Sequence, residues 1–260
     1  MIGADRSNMK NIAIICDVMK AEVERLKNSN KINNLDIIYL EQHLHDTPDK
    51  MRIKLQEAID SVDDNYDKII LGYGLCSNGV VGLKSDKHDI IIPKVDDCIS
   101  LFLGSKEKYE EEFKKDPATY YLCKGWIEYG SDPYRGYLVN TNQQYKIPSD
   151  WIRNEERYGR KGMDEETSKF LIAQMMRNYN RVVLIDNNDL EEIHRKYAKD
   201  MVDFLSNLLN KKIELVEIKA SPELLEKLYC SKWNGSFNEQ NKKEFVIIPK
   251  GEKVTQEKFM

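Results

Sequence analysis

Short runs of apolar, β-branched residues punctuate the first part of the chain: Asn11–Cys16, Leu35–Leu40, Lys68–Leu71 and Asp89–Pro93. Each is too short for a buried helix and rich in isoleucine, which suits a strand covered on both faces. Between the first two runs, Val18, Ala21, Val23 and Leu26 recur at helical spacing. Between the second and third, Thr47-Pro48-Asp49 opens a helix, with proline in the first turn beside an acid. That helix is expected to reach about Val62 and to bury Met51, Leu55, Ala58 and Ile59. Strands alternating with helices predict an α/β fold: a Rossmann-like parallel sheet with helices on both faces.

The pattern continues with one interruption. Asp96-Asp97 caps a helix expected to run through Leu101 and Leu103 to about Lys115, and Thr119–Cys123 reads as a fifth strand. Residues 127–160, rich in Tyr, Asn, Arg, Gly and Pro, lack a sustained apolar period and read as a long excursion with short helical pieces near Trp151. A loop of that length in a compact domain is usually functional, disordered, or a lid. A helix over 164–179 follows, with Phe170, Leu171, Met175 and Met176 as its apolar stripe. The alternation then resumes: a strand at Arg181–Asp186, an amphipathic helix at Leu190–Leu209, a strand at Lys212–Ile218, a short helix opened by Ser221-Pro222-Glu223, and a strand at Glu244–Pro249. The last strand echoes Asp89–Pro93, since both end in Pro-Lys. This suggests two lobes, residues 1–126 and 181–260, joined by the excursion and connecting helix at 127–180.

Composition narrows the classes. Lys plus Arg number 40 against 44 Asp plus Glu, with no basic tract, so nothing favours nucleic-acid binding. The longest apolar runs are about a quarter of the roughly 20 residues a spanning helix needs. The N-terminus lacks the apolar core of a signal peptide, so a cytoplasmic location with no membrane partner is expected. Five cysteines without a Cys-x-x-Cys pair fit free thiols or ligands gathered from distant parts of the chain.

Those cysteines carry the functional signal. Cys16 closes the first apolar run, His45 follows the second, Cys76 the third and Cys98 the fourth. If the runs are parallel neighbours, all four lie at the sheet edge where open α/β sheets place their sites. Thiolate and imidazole together suit zinc, and thiolate-rich sets suit an iron–sulfur cluster. The alternative is core packing, since cysteine is among the most buried residue types. Cys123 is a plausible further ligand, whereas Cys230 reads as structural.

Two further segments accompany the cysteines. Glycines 72, 74 and 79 in Gly72-Tyr-Gly-Leu-Cys-Ser-Asn-Gly79 let backbone amides approach a cofactor, although the spacing matches neither a dinucleotide fingerprint nor a Walker A loop. A nucleotide-using α/β enzyme is thus the weaker alternative. In Asp96-Asp97-Cys98, both aspartates are candidate catalytic residues: Asp97 also fits a helix N-cap, and either could orient a ligand. His43 could replace His45 as ligand but suits a surface role, and His88 and His194 are expected to be solvated.

The segments Leu40–Pro48, Gly72–Leu83 and Ile92–Ser105, with Thr119-Tyr-Tyr-Leu and Gly125-Trp126, resemble the motifs of the domain-of-unknown-function family numbered 1638. The resemblance spans about residues 10 to 210. Members of that family often accompany corrinoid-dependent methyltransferase systems in anaerobes. The resemblance therefore implies a role near methyl transfer or one-carbon metabolism, with a corrinoid in trans, a corrinoid protein or methyltransferase as partner, and a small-molecule substrate. This chain departs from the family pattern where relatives tend to carry Pro-Arg and His-Asp-Cys: it has Pro93-Lys94 and Asp96-Asp97-Cys98. If that histidine is a metal ligand or base in relatives, Asp96 takes its place here as a candidate metal ligand. The resulting expectation is a zinc or iron–sulfur protein acting as a metal-dependent methyltransferase or as an accessory to one, and the alternative is a non-catalytic metal or cofactor carrier.

Overall fold

The computed structural model describes residues 10–32, 34–130, 132–141, 163–231, 233 and 239–259. These form eight strands: β1 (Lys10–Cys16), β2 (Leu35–Leu40), β3 (Tyr66–Gly72), β4 (Asp89–Pro93), β5 (Thr119–Cys123), β6 (Arg181–Asp186), β7 (Glu214–Lys219) and β8 (Phe245–Ile248). The chain divides into two compact units, residues 1–109 with 221–260, and residues 110–220. The expected divisions at 126 and 180 do not coincide with these, because the last strand returns to the first sheet.

The first unit is built on a five-stranded sheet of order β2-β1-β3-β4-β8. Its first four strands are parallel, with Ile12 opposite Ile69 and Ile15 opposite Gly72. β8 runs antiparallel to β4, with Ile90 opposite Ile248 and Pro93 opposite Phe245. The central strands are buried on both faces: Ile14, Ile15, Ile69, Ile70, Ile90, Ile91 and Ile92 are all inaccessible to solvent. Each contributes roughly 1.5–3 kcal/mol of burial. β2, at the edge, is half-buried throughout.

Helix α1 (Lys20–Asn28) follows a single 3-10 turn and buries Ala21, Val23 and Leu26. Helix α2 (Pro48–Asp60) buries Met51, Leu55, Ala58 and Ile59, as its periodicity predicts. The helix expected from Asp97 to Lys115 is instead two helices, α3 (Cys98–Leu103) and α4 (Lys106–Lys115). Gly104 separates them with φ at +92°, a left-handed cap that ends the first helix. A side chain there would also run into the Ser221 carbonyl.

The second unit carries a three-stranded parallel sheet, β5-β6-β7. The Thr119–Cys123 strand pairs with β6 here, Thr119 opposite Arg181, and is not a fifth member of the first sheet. The helix Glu192–Leu209 packs Tyr197, Ala198, Met201, Val202 and Leu205 into this unit's core. The Tyr197 hydroxyl donates to Asp132 Oδ2 at 2.7 Å, while Asp132 Oδ1 caps the helix Pro133–Asn140. Of the excursion, Lys124–Tyr129 and Pro133–Asn140 are short helices, and the expected piece near Trp151 lies outside the described residues.

Two side-chain expectations are corrected. The helix Glu165–Met176 turns Ser168, Ile172 and Met176 inward, whereas Phe170 and Met175 are 61% and 63% exposed. Its apolar residues occupy two faces, and the i, i+4, i+8 row is the one that meets the core. His194 and His88 are buried rather than solvated. His194 Nδ1 accepts from the Glu191 amide at 2.9 Å in a capping box, and its Nε2 lies 3.0 Å from Glu128 Oε1. The two polar partners explain how the imidazole enters the core.

Candidate functional site

In the first sheet the chain steps from β1 outward to β2, then crosses back over β1 to β3. The connections therefore diverge between β1 and β3. In open α/β sheets, ligands bind at such a switch point, outside the C-terminal ends of the strands. Cys16 is the last residue of β1, and Tyr73–Cys76 leave β3 directly beyond Gly72.

The turn after β3 is laid against the turn after β4. The Leu75 amide donates to the Val95 carbonyl at 2.9 Å, and the Cys76 amide to the Asp96 carbonyl at 2.8 Å. This approach requires Gly74, since a Cβ there would lie 2.8 Å from both the Asp97 nitrogen and the Val95 oxygen. The space beside Gly72 is taken by the Tyr229 hydroxyl and Ile15, and that beside Gly79 by Met51. The three glycines thus admit this chain's own atoms. The expected cofactor cradle is filled by protein.

Cys76, Ser77 and Asn78 all have left-handed backbones, with φ of 46°, 55° and 65°. Such a conformation costs non-glycine residues roughly 1–2 kcal/mol each, and asparagine tolerates it best. The turn is closed by the Gly79 amide on the Cys76 carbonyl at 2.9 Å. It is pinned from α2 by Arg52, whose guanidinium donates to the Asn78 and Val81 carbonyls. Backbone strain of this kind, overdetermined by its surroundings, clusters at functional sites in proteins generally.

Cys16 and Cys76 are both buried. Burial pushes each thiol up to about 12. Asp97 raises Cys76 further, and each sulfur also faces a backbone amide, that of Val18 for Cys16 and that of Gly74 for Cys76. Cys16 in turn acts on Cys76, and both act on Tyr73, whose phenol burial holds well above its ordinary value. Tyr229, reaching in from the helix Glu223–Cys230, is raised by burial and by Tyr39 and Cys16. The Tyr73 and Tyr229 hydroxyls are buried without a hydrogen-bond partner. The charged neighbours acting on these four groups, Asp17, Glu22 and Asp97, are all acidic.

The other expected residues divide. Asp97 is the N-cap of α3, accepting from Ile99 at 2.9 Å and Ser100 at 3.2 Å, and burial raises its carboxyl. Asp96 is exposed and lies 3.6 Å from Lys106. Cys98, half-buried, opens α3. His45 is exposed and contacts Asp46. Among the described residues, the group of three metal-capable side chains whose ligand atoms lie within 4.8 Å of one another is His43, His45 and Asp46. The structure therefore brings Cys16 and Cys76 together but does not converge Cys16, His45, Cys76 and Cys98 into one shell. Cys123 ends β5 in the second unit, and Cys230 follows Tyr229.

Sequence reasoning missed Tyr73 and Tyr229. Tyr73 stood inside the glycine motif, where its alternation with Gly72 and Gly74 was a usable signal. Tyr229 comes from the far end of the chain and carried none.

The family described as "Protein of unknown function (DUF1638)" matches residues 39–229. No curated protein and no solved structure matches the chain.

Proposed function

This chain belongs to that family of unknown function, and we propose that it is a metal-binding protein whose centre is the thiol pair Cys16 and Cys76. The observation that carries the reading is the burial of these two thiols, beyond strands on either side of the switch point, with Cys16 near enough to oppose the ionisation of Cys76. Two buried thiols among acidic neighbours are costly to ionise, and a divalent cation offsets that cost by taking both as thiolates. The amides of Val18 and Gly74 beside the sulfurs suit thiolate ligands, whose properties such hydrogen bonds tune. Zinc fits this donor set better than an iron–sulfur cluster, which takes about four cysteines.

Two protein ligands leave positions open for a substrate group, as a catalytic rather than a closed structural site does, with one protein ligand fewer than the usual three. Bound zinc makes a further coordinated thiol nucleophilic near neutral pH. The buried hydroxyls of Tyr73 and Tyr229 are placed to hydrogen-bond what enters. A place in methyl transfer, with a corrinoid protein or methyltransferase as partner, is part of the same proposal and rests on the company that family members keep.

The test is anaerobic purification followed by metal and acid-labile sulfide analysis. About one zinc per chain, lost in Cys16→Ser and Cys76→Ser, supports the reading. Protein free of metal after reconstitution, with both thiols titrating only on unfolding, leaves the second reading: a buried cluster of thiols and phenols that takes an uncharged ligand. The raised pKa of all four groups favours that second reading.

A further inference from the structure

The segment from Gln42 to Asp46 alternates in its burial. Gln42 and Leu44 are 8% and 3% exposed, while His43, His45 and Asp46 face solvent. The two buried residues anchor a short turn between the end of β2 and the start of α2. The turn is closed by the Asp46 amide on the His43 carbonyl at 3.2 Å and the Thr47 amide on the Leu44 carbonyl at 3.1 Å. Pro48 begins α2 immediately afterwards. His43 takes a left-handed backbone, φ +67°, which turns its ring toward Asp46. Both imidazoles meet that one carboxylate: His43 Nδ1 lies 3.0 Å from Oδ2, and His45 Nε2 lies 3.3 Å from Oδ1. The three ligand atoms are within 4.8 Å of one another, and the two rings are 6.0 Å apart.

Each imidazole nitrogen lies from one Asp46 oxygen at about the spacing that neighbouring ligand atoms have in a coordination shell. Zinc bonds of about 2.0–2.1 Å to nitrogen and oxygen in a tetrahedron place neighbouring ligand atoms ~3.3 Å apart. We propose that His43, His45 and Asp46 form a site for a divalent transition metal, zinc foremost, separate from the Cys16–Cys76 centre. His43 ligates through Nδ1 and His45 through Nε2, so that each ring carries its remaining proton on the other nitrogen. Two imidazoles and one carboxylate favour zinc, iron(II) or copper over magnesium or calcium, which prefer all-oxygen shells. Three protein ligands leave a position for water or a substrate oxygen. The turn below the ligands, closed by two backbone hydrogen bonds, supplies the preorganisation that such a site requires. His45, which the sequence grouped with the cysteines, serves this site instead.

The site is tested on the full chain with zinc(II) and cobalt(II). The Cys16→Ser/Cys76→Ser double variant is titrated first, so that the thiol centre does not contribute. It is expected to take up about one cobalt, with visible d–d absorption and no sulfur-to-metal charge-transfer band. His43→Ala and His45→Ala in that background should weaken binding by tenfold or more, the scale on which even outer-sphere losses act. All three side chains are exposed, so these variants should keep the parent's melting temperature and far-UV circular dichroism. No cobalt uptake by the double variant overturns the site, as does affinity unchanged in the histidine variants. Uptake by the wild type lost entirely in the cysteine variant overturns it while leaving the thiol centre standing. Uptake lost only in the histidine variants supports this site even where the thiol centre fails.

Discussion

The Cys76 amide donates to the Asp96 carbonyl at 2.8 Å, fastening the turn beyond β3 to the turn beyond β4. One glycine makes this contact possible. Gly74→Ala would press a Cβ against backbone atoms of Val95 and Asp97 at 2.8 Å, and neither can move without breaking the pair of turns. The expected loss is about 1–3 kcal/mol of stability, the usual cost of overpacking. Gly79→Ala meets the flexible Met51 thioether at 2.7 Å and one backbone atom, the Cys76 carbonyl oxygen, at 3.0 Å, so it should cost less. Urea unfolding of both variants ranks them, and a Gly74→Ala protein as stable as wild type would sink this account of the turn.

The orphaned hydroxyls make a prediction of opposite sign. Tyr73 and Tyr229 bury their Oη atoms without partners, a state that costs free energy unless function requires it. Tyr73→Phe and Tyr229→Phe should therefore leave thermal stability unchanged or raise it, by up to about 1 kcal/mol. If the hydroxyls serve a ligand at the thiol pair, the same variants should bind metal or ligand more weakly. Destabilisation by both changes would mean that the hydroxyls are structural.

Much of the first unit was legible because its strands are continuous apolar runs and its helices carry clean 3.6-residue stripes. Met51, Leu55, Ala58 and Ile59 lie inward as their spacing demands. The failures have physical causes. β8 reads as the final strand of a C-terminal lobe, and only long-range pairing with β4 places it in the first sheet. The Glu165–Met176 helix has apolar residues on two faces, and its sequence does not say which meets the core. For the site, Cys16 and Cys76 could be read from the ends of their strands. His45 could not, because a turn with His43 in the left-handed region carries it to Asp46. Tyr229 depends on packing across most of the chain's length.

The buried thiols set an alkaline limit. Both are raised from 9.0 to about 12 in the folded state. A thiol whose folded pKa lies above its unfolded value contributes stability that is whole below the unfolded pKa. That stability is lost as pH rises through the folded pKa, because only the unfolded chain releases the proton in between. In metal-free protein the loss should run from about pH 9 to about 12, at a slope on the order of 1 kcal/mol per pH unit for each thiol. Denaturation followed against pH in Cys16→Ala/Cys76→Ala should show a shallower alkaline fall. An unchanged slope would remove the thiols as its cause.

Asp97 separates capping from charge. Its carboxylate accepts from the Ile99 and Ser100 amides, a role that asparagine fills equally well. Asp97→Asn should therefore preserve stability, while Asp97→Ala should cost about 1 kcal/mol. Asp97 also raises Cys76, so the asparagine variant should lower the Cys76 pKa and speed its alkylation at mildly alkaline pH. Equal alkylation rates in wild type and Asp97→Asn would show that the carboxylate does not govern the thiol.

In the second unit, the stability of one buried carboxylate rests on a phenol. Asp132 is buried, and its Oδ2 receives the Tyr197 hydroxyl at 2.7 Å while Oδ1 is spent on the helix cap. Burial raises Asp132, and the amides of Arg135 and Tyr134 and the Tyr197 hydroxyl hold it down. Tyr197→Phe leaves Oδ2 without that donor at a site where water does not reach. The expected cost is about 1.5–3 kcal/mol, the range for a hydrogen bond to a charged group. Removing the donor also shifts the Asp132 pKa further up, so the variant's deficit should shrink as pH falls and the carboxyl is protonated in the folded state. Paired denaturation curves at neutral and mildly acidic pH test both parts, and a deficit independent of pH would point to lost packing rather than to the carboxylate.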